Sequence, residues 1–116
     1  MSGRGYVPDA GDVVWLTVDP SAGDPHAGHE PAGHRPALVL SPASYNGRAG
    51  LMLCCPVTTR IKGYPFEVLL AGEPARVALA DQVKSLEWRA RGAVRKGGVS
   101  GGEIAAVRGK LRALVG

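Results

Sequence analysis

The chain has 116 residues, of which 45% are hydrophobic and 21% charged, and its formal net charge is +4. This length fits one domain with one modest core, and the apolar content is that of a globular protein, which argues against general disorder. The apolar runs are too short to cross a bilayer, and no signal-like segment follows Met1. The sequence therefore predicts a single domain over residues 1–116 in the cytoplasm.

The net charge and the two cysteines give limited information about the partner and the cellular compartment of the protein. An excess of cations favours a polyanionic partner such as nucleic acid, although net charge does not determine a fold. Cys54 and Cys55 are adjacent inside an apolar run, where a disulfide between neighbours would be strained. We expect them to be reduced core residues, which suits a reducing compartment.

In chain order, the predicted elements are mostly short strands. Apolar segments bounded by Gly and Pro predict strands at residues 12–18, 36–41, 50–59, 66–70 and 75–80. The segment 83–90 is compatible with either a last strand or a helical turn.

A helix is predicted at the C-terminus, over about residues 101–115. Ser100 and Glu103 form an S-x-x-E capping box. The apolar residues that follow have the spacing of one helical face: Ile104, Val107, Leu111 and Leu114. Five or six strands and one helix favour a mainly β fold, a small and partly open barrel with the helix packed on it. Exposed strand edges in such a barrel make a dimer the expected state.

The first candidate site is the loop DPSAGDPHAGHEPAGHRP before the second strand. We interpret His26 and His29 as exposed loop residues, because H-x-x-H-E matches no common metal spacing, and we expect no metal. Arg35 precedes a proline at the root of a buried strand, where an anchored guanidinium suits a phosphate. A structural ion pair with Glu30 explains Arg35 equally well at this point.

The second candidate is PVTTRIKGYPFEV, where a buried strand ends. Thr58 and Thr59 are followed by Lys62 and Tyr64, so hydroxyls, a cation and an aromatic ring lie close together. Such groups contact phosphates and stack on bases in single-stranded RNA sites. Threonines at a strand end before a solvated basic turn are the more common meaning of this pattern.

The third candidate is ALADQVKSLEWRARGAVRKGG. Asp81 and Gln82 offer hydrogen-bonding groups that could read base edges, although turn capping would also explain them. Four cations follow that could track a phosphate backbone or form a solvated face: Arg89, Arg91, Arg95 and Lys96.

Several motifs in one order give the chain a family resemblance. YVPDAGDVVW, AGHRPALVLSP, PVTTRIKGYPFEV and VALADQVKSLEWRARG together resemble the MazF (PemK-like) toxins of bacterial toxin–antitoxin systems. The resemblance implies an SH3-like barrel that forms a homodimer. It also implies a metal- and cofactor-independent endoribonuclease that cuts single-stranded RNA, chiefly mRNA, and so inhibits translation. A MazE-like antitoxin with an acidic, flexible segment is the implied inhibitor, and any DNA contact is expected only through the antitoxin complex.

The resemblance also assigns roles to residues. It implies that Arg35, in the GHRP motif, and Thr58, the first of the two threonines, are catalytic. Glu30 falls on the upstream glutamate, and Asp81 and Gln82 fall near the surface that reads bases. The loop from Pro20 to Arg35 is longer than the family pattern, which leaves the substrate sequence and the fit of the antitoxin open.

Cleavage without a metal requires attack of the 2′-hydroxyl on phosphorus, with a proton acceptor, a proton donor and stabilisation of the phosphorane. Arg35 suits the stabilising role, because a preorganised cation is often the largest contribution and an arginine seldom gives up its proton. Glu30 or His34 is the expected proton acceptor. Two other classes stay open, a CcdB-like toxin that binds DNA gyrase without catalysis and a plain RNA-binding barrel.

Overall fold

The structure is a computed structural model that describes residues 5–17 and 34–116. Its strands are β1 (Asp12–Thr17), β2 (His34–Val39), β3 (Met52–Thr58), β4 (Glu67–Leu70), β5 (Arg76–Leu79), β6 (Lys84–Leu86) and β7 (Val94–Gly98). Its helices are α1 (Ala43–Ala49) and α2 (Gly101–Val115), with one 3-10 turn at Ala80–Gln82. No helix in these two ranges is long and apolar enough to span a membrane.

The seven described strands form one antiparallel sheet with the order β4-β5-β3-β2-β1-β7. Strand β6 also pairs with β3, at Met52 to Cys54, whereas β5 pairs with β3 further on, at Val57 and Thr58. One edge of β3 therefore pairs with two different strands, β6 near its start and β5 near its end. The sheet turns at this point, which gives the half-barrel shape.

Both faces of the central strands are buried, which explains their nearly continuous apolar runs. One face packs under α2 and forms the helix-side core: Val13, Leu38, Leu40, Cys55, Val57, Val68, Leu70, Ala78, Ala80, Ile104 and Val107. The other face forms the Trp88-side core: Val14, Leu16, Ala37, Val39, Met52, Cys54 and Trp88. Because side chains alternate along a strand, neighbours such as Cys54 and Cys55 belong to opposite cores.

The predicted mainly β fold with a C-terminal helix is confirmed, and the five predicted strands are present with ends shifted by one or two residues. The second strand begins at His34 instead of Pro36, so Arg35 lies within β2 and not in the preceding loop. The segment 83–90 contains both predicted alternatives in part: the short strand β6, followed by turns at residues 88–92.

Helix α1 was not predicted from the sequence, and its stability comes from buried hydrogen bonds. Asn46 is fully buried, and its Nδ2 donates to Pro8 O at 2.7 Å and to Ser41 O at 2.9 Å. Its Oδ1 accepts from Ser41 Oγ at 2.6 Å, and its backbone oxygen accepts from Trp88 Nε1 at 2.9 Å. Gly50 ends the helix in the left-handed region, at φ 71°.

Helix α2 begins at the predicted capping box, and its glutamate has a second role. The Ser100 side chain accepts from Glu103 N, and Glu103 Oε1 accepts from Ser100 N at 2.8 Å. Glu103 Oε2 also accepts from Ala71 N at 2.7 Å, in the turn between β4 and β5. These backbone hydrogen bonds lower the pKa of the Glu103 carboxyl. One carboxylate therefore joins the helix start to the β4–β5 turn.

We expect Asn46→Ala to lower the free energy of unfolding by about 3 kcal/mol, because it leaves several buried polar groups without partners. Guanidinium unfolding followed by tryptophan fluorescence measures the change. Ser44→Ala, at an exposed position of the same helix, is the matched control and should change stability by less than about 0.5 kcal/mol. Equal effects of the two substitutions would contradict the role of Asn46.

We expect neither cysteine to react with a thiol reagent in the folded protein at pH 8. Burial raises the pKa of Cys54 to about 11 and the pKa of Cys55 to about 12, so both remain thiols. In the unfolded chain the cysteine thiols ionise near pH 8.5. Their ionisation therefore leaves the free energy of unfolding unchanged below that pH and lowers it as the pH rises towards 11. Labelling with Ellman's reagent should detect both thiols only in guanidinium. Rapid labelling of the native protein would contradict this.

Candidate RNA-cleavage site

The pairing of β2 with β3 brings the two principal candidates together. Ala37 pairs with Pro56, and continuing that register by two residues in each strand brings Arg35 opposite Thr58. Side chains directly opposite each other share a face and have Cβ atoms about 5 Å apart. Arg35 and Thr58, which are distant in sequence, therefore lie at the same end of two adjacent strands.

Both side chains have anchored backbones. Arg35 lies between two strands, since it also pairs with Leu16 in β1, and its side chain is half-buried. Thr58 is 2% exposed, pairs with Val77 in β5, and its Oγ1 accepts from Arg60 N at 3.1 Å. A guanidinium and a hydroxyl held this way can act together on one phosphate with little reorganisation.

An open pocket begins at Thr58. It is lined by Thr58, Arg60, Lys62, Tyr64, Glu67, Leu79, Asp81 and Gln82. Five of the residues named from the sequence therefore line one surface. The pocket combines a hydroxyl, cations, an aromatic ring and side chains that can hydrogen-bond to the edge of a base.

The pocket wall formed by the loop between β3 and β4 carries a cation and a ring. Lys62 Nζ lies 5.6 Å from the centroid of the Tyr64 ring, and Tyr64 is 59% exposed. The lining also contains Asp81 and Gln82, both exposed in the 3-10 turn after β5. An exposed ring and hydrogen-bonding groups in one pocket suit an unstacked base.

Glu67 is a pocket residue that the sequence reasoning missed. Its two carboxylate oxygens accept from the backbone of the loop, Oε2 from Lys62 N at 3.0 Å and Oε1 from Gly63 N at 2.9 Å. A glutamate at the start of a strand carries no local signal of this contact. The bonds depend on the path of the loop.

A second aromatic group lies near Arg35 and was also not predicted. The rings of Trp15 and His34 meet edge to face, with centroids 6.4 Å apart and planes at 82°. Lys96 Nζ lies 5.1 Å from the centroid of the Trp15 ring. His34 is exposed and pairs with Thr17, so it lies beside Arg35 along β2 but on the other face of the strand.

Each of the four cations after β6 has a contact within the protein. Arg89 lies over the Trp88 ring at 4.2 Å, and Arg95 Nε pairs with Asp12 Oδ1 at 3.2 Å. Arg91 Nε donates to Thr17 O at 3.1 Å, and Lys96 faces Trp15. Arg89, Arg91 and Arg95 thus have structural contacts.

The remaining candidates fall into two groups. Glu30, His26 and His29 lie outside the residues that the structure describes. Thr59 is half-buried and does not line the pocket. Within the described ranges, no group of three His, Cys, Asp or Glu residues is placed to hold a metal ion.

Comparisons with known proteins identify the family of the chain. Residues 9–115 match the family described as PemK-like, MazF-like toxin of type II toxin-antitoxin system. The chain is 54% identical over 112 residues to the endoribonuclease toxin MazF of Escherichia coli K12, and the match covers 96% of each chain.

Solved structures show the same fold. The crystal structure of MazE-MazF (Form-II) from Deinococcus radiodurans matches with a TM-score of 0.82 and 50% identity, over 96% of this chain and 97% of that one. An endoribonuclease in complex with its cognate antitoxin from Mycobacterial species matches with a TM-score of 0.71 over 93% and 94% of the two chains. At 17% identity, the second match shows the fold alone. The chain belongs to the PemK-like, MazF-like family of toxins of type II toxin–antitoxin systems.

Proposed function

We propose that this protein is an endoribonuclease toxin that cleaves single-stranded RNA, chiefly mRNA, at a short sequence and without a metal ion. The placement of Arg35 and Thr58 at the same end of the paired strands β2 and β3 is the observation that carries the proposal. The endoribonuclease named among its relatives supports the same activity. Cleavage of mRNA would stop translation and growth.

In the proposed reaction, the 2′-hydroxyl oxygen forms a bond to the adjacent phosphorus and the bond from phosphorus to the 5′-oxygen breaks. The products are a 2′,3′-cyclic phosphate and a 5′-hydroxyl end. The 2′ proton goes to a base, and the 5′-oxygen receives a proton as it leaves. Water is not consumed in this step, and the electron count of phosphorus does not change.

Arg35 stabilises the charge that develops on the non-bridging oxygens of the phosphorane, since its guanidinium stays protonated and can donate two parallel hydrogen bonds. Thr58 donates a hydrogen bond to one of these oxygens. Because Arg60 N donates to Thr58 Oγ1, the orientation of this hydroxyl is already restricted. The two groups thereby act on the same oxygens from adjacent strands.

The proton transfers are assigned to the residues next to Arg35. We propose Glu30 as the base, or as the group that orients Arg35, with His34 as the other acid or base. His34 precedes Arg35 directly, but the alternation along β2 turns its side chain to the other face. This geometry favours a smaller contribution from His34.

The pocket binds the RNA next to the cleaved bond. Lys62 contacts phosphate, Tyr64 stacks on a base, and Asp81 and Gln82 read base edges. We assign Thr59 to RNA binding with less support, because it does not line the pocket.

We further propose that the protein is a cytoplasmic homodimer neutralised by a MazE-like antitoxin. The complex of MazE with MazF from Deinococcus radiodurans, which is 50% identical to this chain, supports that partner. An acidic antitoxin segment would complement the cationic pocket wall, and DNA contact would occur only through the antitoxin complex. The family match and the endoribonuclease relatives favour this reading over a CcdB-like gyrase binder.

We expect purified protein incubated in EDTA with mixed-sequence single-stranded RNA to cut it at one short motif. Sequencing of the new ends identifies the motif, and a phosphatase-resistant 3′ end that acid converts to a phosphatase-sensitive one identifies the cyclic phosphate. Antitoxin added before the RNA should prevent the cuts. RNA that is bound but intact would support a plain RNA-binding barrel instead.

We expect Arg35→Ala to lower kcat by about 10³-fold and Thr58→Ala by about 10²-fold, because each removes a group that stabilises the phosphorane. His34→Ala should cost less than about tenfold. Cleavage of an oligonucleotide carrying the identified motif measures these changes, with circular dichroism and gel filtration as checks on fold and dimer.

The matched control is Arg48→Ala, which removes the same charge from an exposed position of α1. It should leave kcat unchanged. Loss of activity together with unfolding would contradict the catalytic roles. A loss in His34→Ala equal to that of Arg35→Ala would make His34 the acid or base.

A further inference from the structure

The loop between β3 and β4 carries Lys62 and Tyr64 to the pocket, but its path is not that of a regular element. Residues 60–64 have neither helical nor strand structure. Their positions therefore depend on contacts made by neighbouring elements. Side chains of β4 and α2 make two of these contacts.

The contact from β4 is the Glu67 carboxylate. Lys62 N and Gly63 N donate to its two oxygens, at 3.0 and 2.9 Å. Gly63 has a φ of +82°, in the left-handed region, which turns these successive amides towards one point. Successive backbone N–H groups arranged in this way form a concavity that binds anions. Here the occupant is the protein's own carboxylate.

The contact from α2 is Lys110, whose Nζ donates to Pro65 O. Glu67 thus holds the middle of the loop, and Lys110 holds its end. Both contacts use backbone atoms of the loop, so neither requires the side chains of Lys62 or Tyr64. Those two side chains remain directed at the pocket.

We propose that Glu67 is a positioning residue for RNA binding, which fixes the loop so that Lys62 and Tyr64 are preorganised for a phosphate and a base. The proposal rests on the proposed function of the pocket. It excludes a direct part in bond cleavage, since Glu67 acts through the loop backbone.

Removal of Glu67 has two opposing effects on RNA binding, and their relative sizes decide whether the affinity rises or falls. A carboxylate in the pocket repels an RNA phosphate, so its removal by this effect alone would tighten binding. At a solvent-open surface this repulsion is small and screened by salt. Release of the loop misplaces two binding groups, which has a larger effect. Loss of Glu67 should therefore weaken binding despite the more positive pocket.

The test compares Glu67→Ala with Glu73→Ala in cleavage of an oligonucleotide that carries the identified motif. Glu73 has the same charge and lies exposed in the β4–β5 turn. We expect Glu67→Ala to raise KM by about tenfold with kcat changed by less than about threefold, and Glu73→Ala to change neither. Glu67→Gln keeps one acceptor oxygen and should give an intermediate KM.

Lys110→Ala tests the same loop from the other side and serves also if Glu67→Ala does not fold. It should raise KM, whereas Arg112→Ala, which removes the same charge from an exposed position of α2, should not. The two KM effects should be less than additive when Glu67→Ala and Lys110→Ala are combined.

Three results would overturn the proposal: an unchanged or lower KM in Glu67→Ala, a loss confined to kcat, or an unchanged KM in Lys110→Ala. The Thr58→Ala variant shows whether such a result contradicts only the positioning role or the proposed function as well. If Thr58→Ala abolishes cleavage while Glu67→Ala leaves KM unchanged, only the positioning role is wrong. Full activity in Thr58→Ala would mean that the cleavage site lies elsewhere, and the positioning role would then fail with it.

Discussion

The antiparallel register between β2 and β3 is the constraint on which the site depends. Arg35 and Thr58 lie at the same end of adjacent strands because Ala37 is paired with Pro56 further into the sheet. A slip by one residue would turn one of the two side chains to the opposite face. It would also exchange the residues of the two cores along that strand, so the hydrophobic packing on both faces maintains the register. The core therefore determines the relative positions of the two residues proposed as catalytic.

The burial of β3 on both faces also explains why the polar groups lie at its end. From Met52 to Val57 the strand contains only apolar residues, cysteines and a proline, and its first hydroxyl is that of Thr58. Beyond it, the chain leaves the sheet and the cations begin. A rigid strand thus ends at a polar loop. The strand itself holds Thr58 firmly, whereas the polar residues of the loop that follows need contacts from other elements to hold them.

Much of this architecture could be predicted from the sequence. Apolar runs predicted five strands, and the S-x-x-E box predicted the start of α2 at its observed position, because both signals are local. Helix α1 was missed because Asn46 and Gly47 are poor helix formers, and the compensating bonds to Pro8 and Trp88 come from distant parts of the chain.

Strand β7 and the pocket likewise depend on contacts between distant parts of the chain, which local sequence does not predict. The VRKGG sequence of β7 resembles a loop, and it becomes a strand only because β1 offers an unpaired edge. Candidate residues Thr58, Lys62, Tyr64, Asp81 and Gln82 were found by residue type and motif and do share one pocket. Their proximity, and the contacts of Glu67 and Trp15, depend on tertiary structure and have no signature in a single sequence.

The strand order has a consequence for when such a toxin can begin to act. Strand β1 pairs with β7 near the other end of the chain, and one core is closed by Trp88 and the other by α2. Residues 34–58, which contain the Arg35 and Thr58 strands, are made early during synthesis but lack the partners that bury them. A ribosome must therefore translate as far as α2 before the sheet and both cores can form. We expect the nascent chain to remain harmless to the transcript that encodes it.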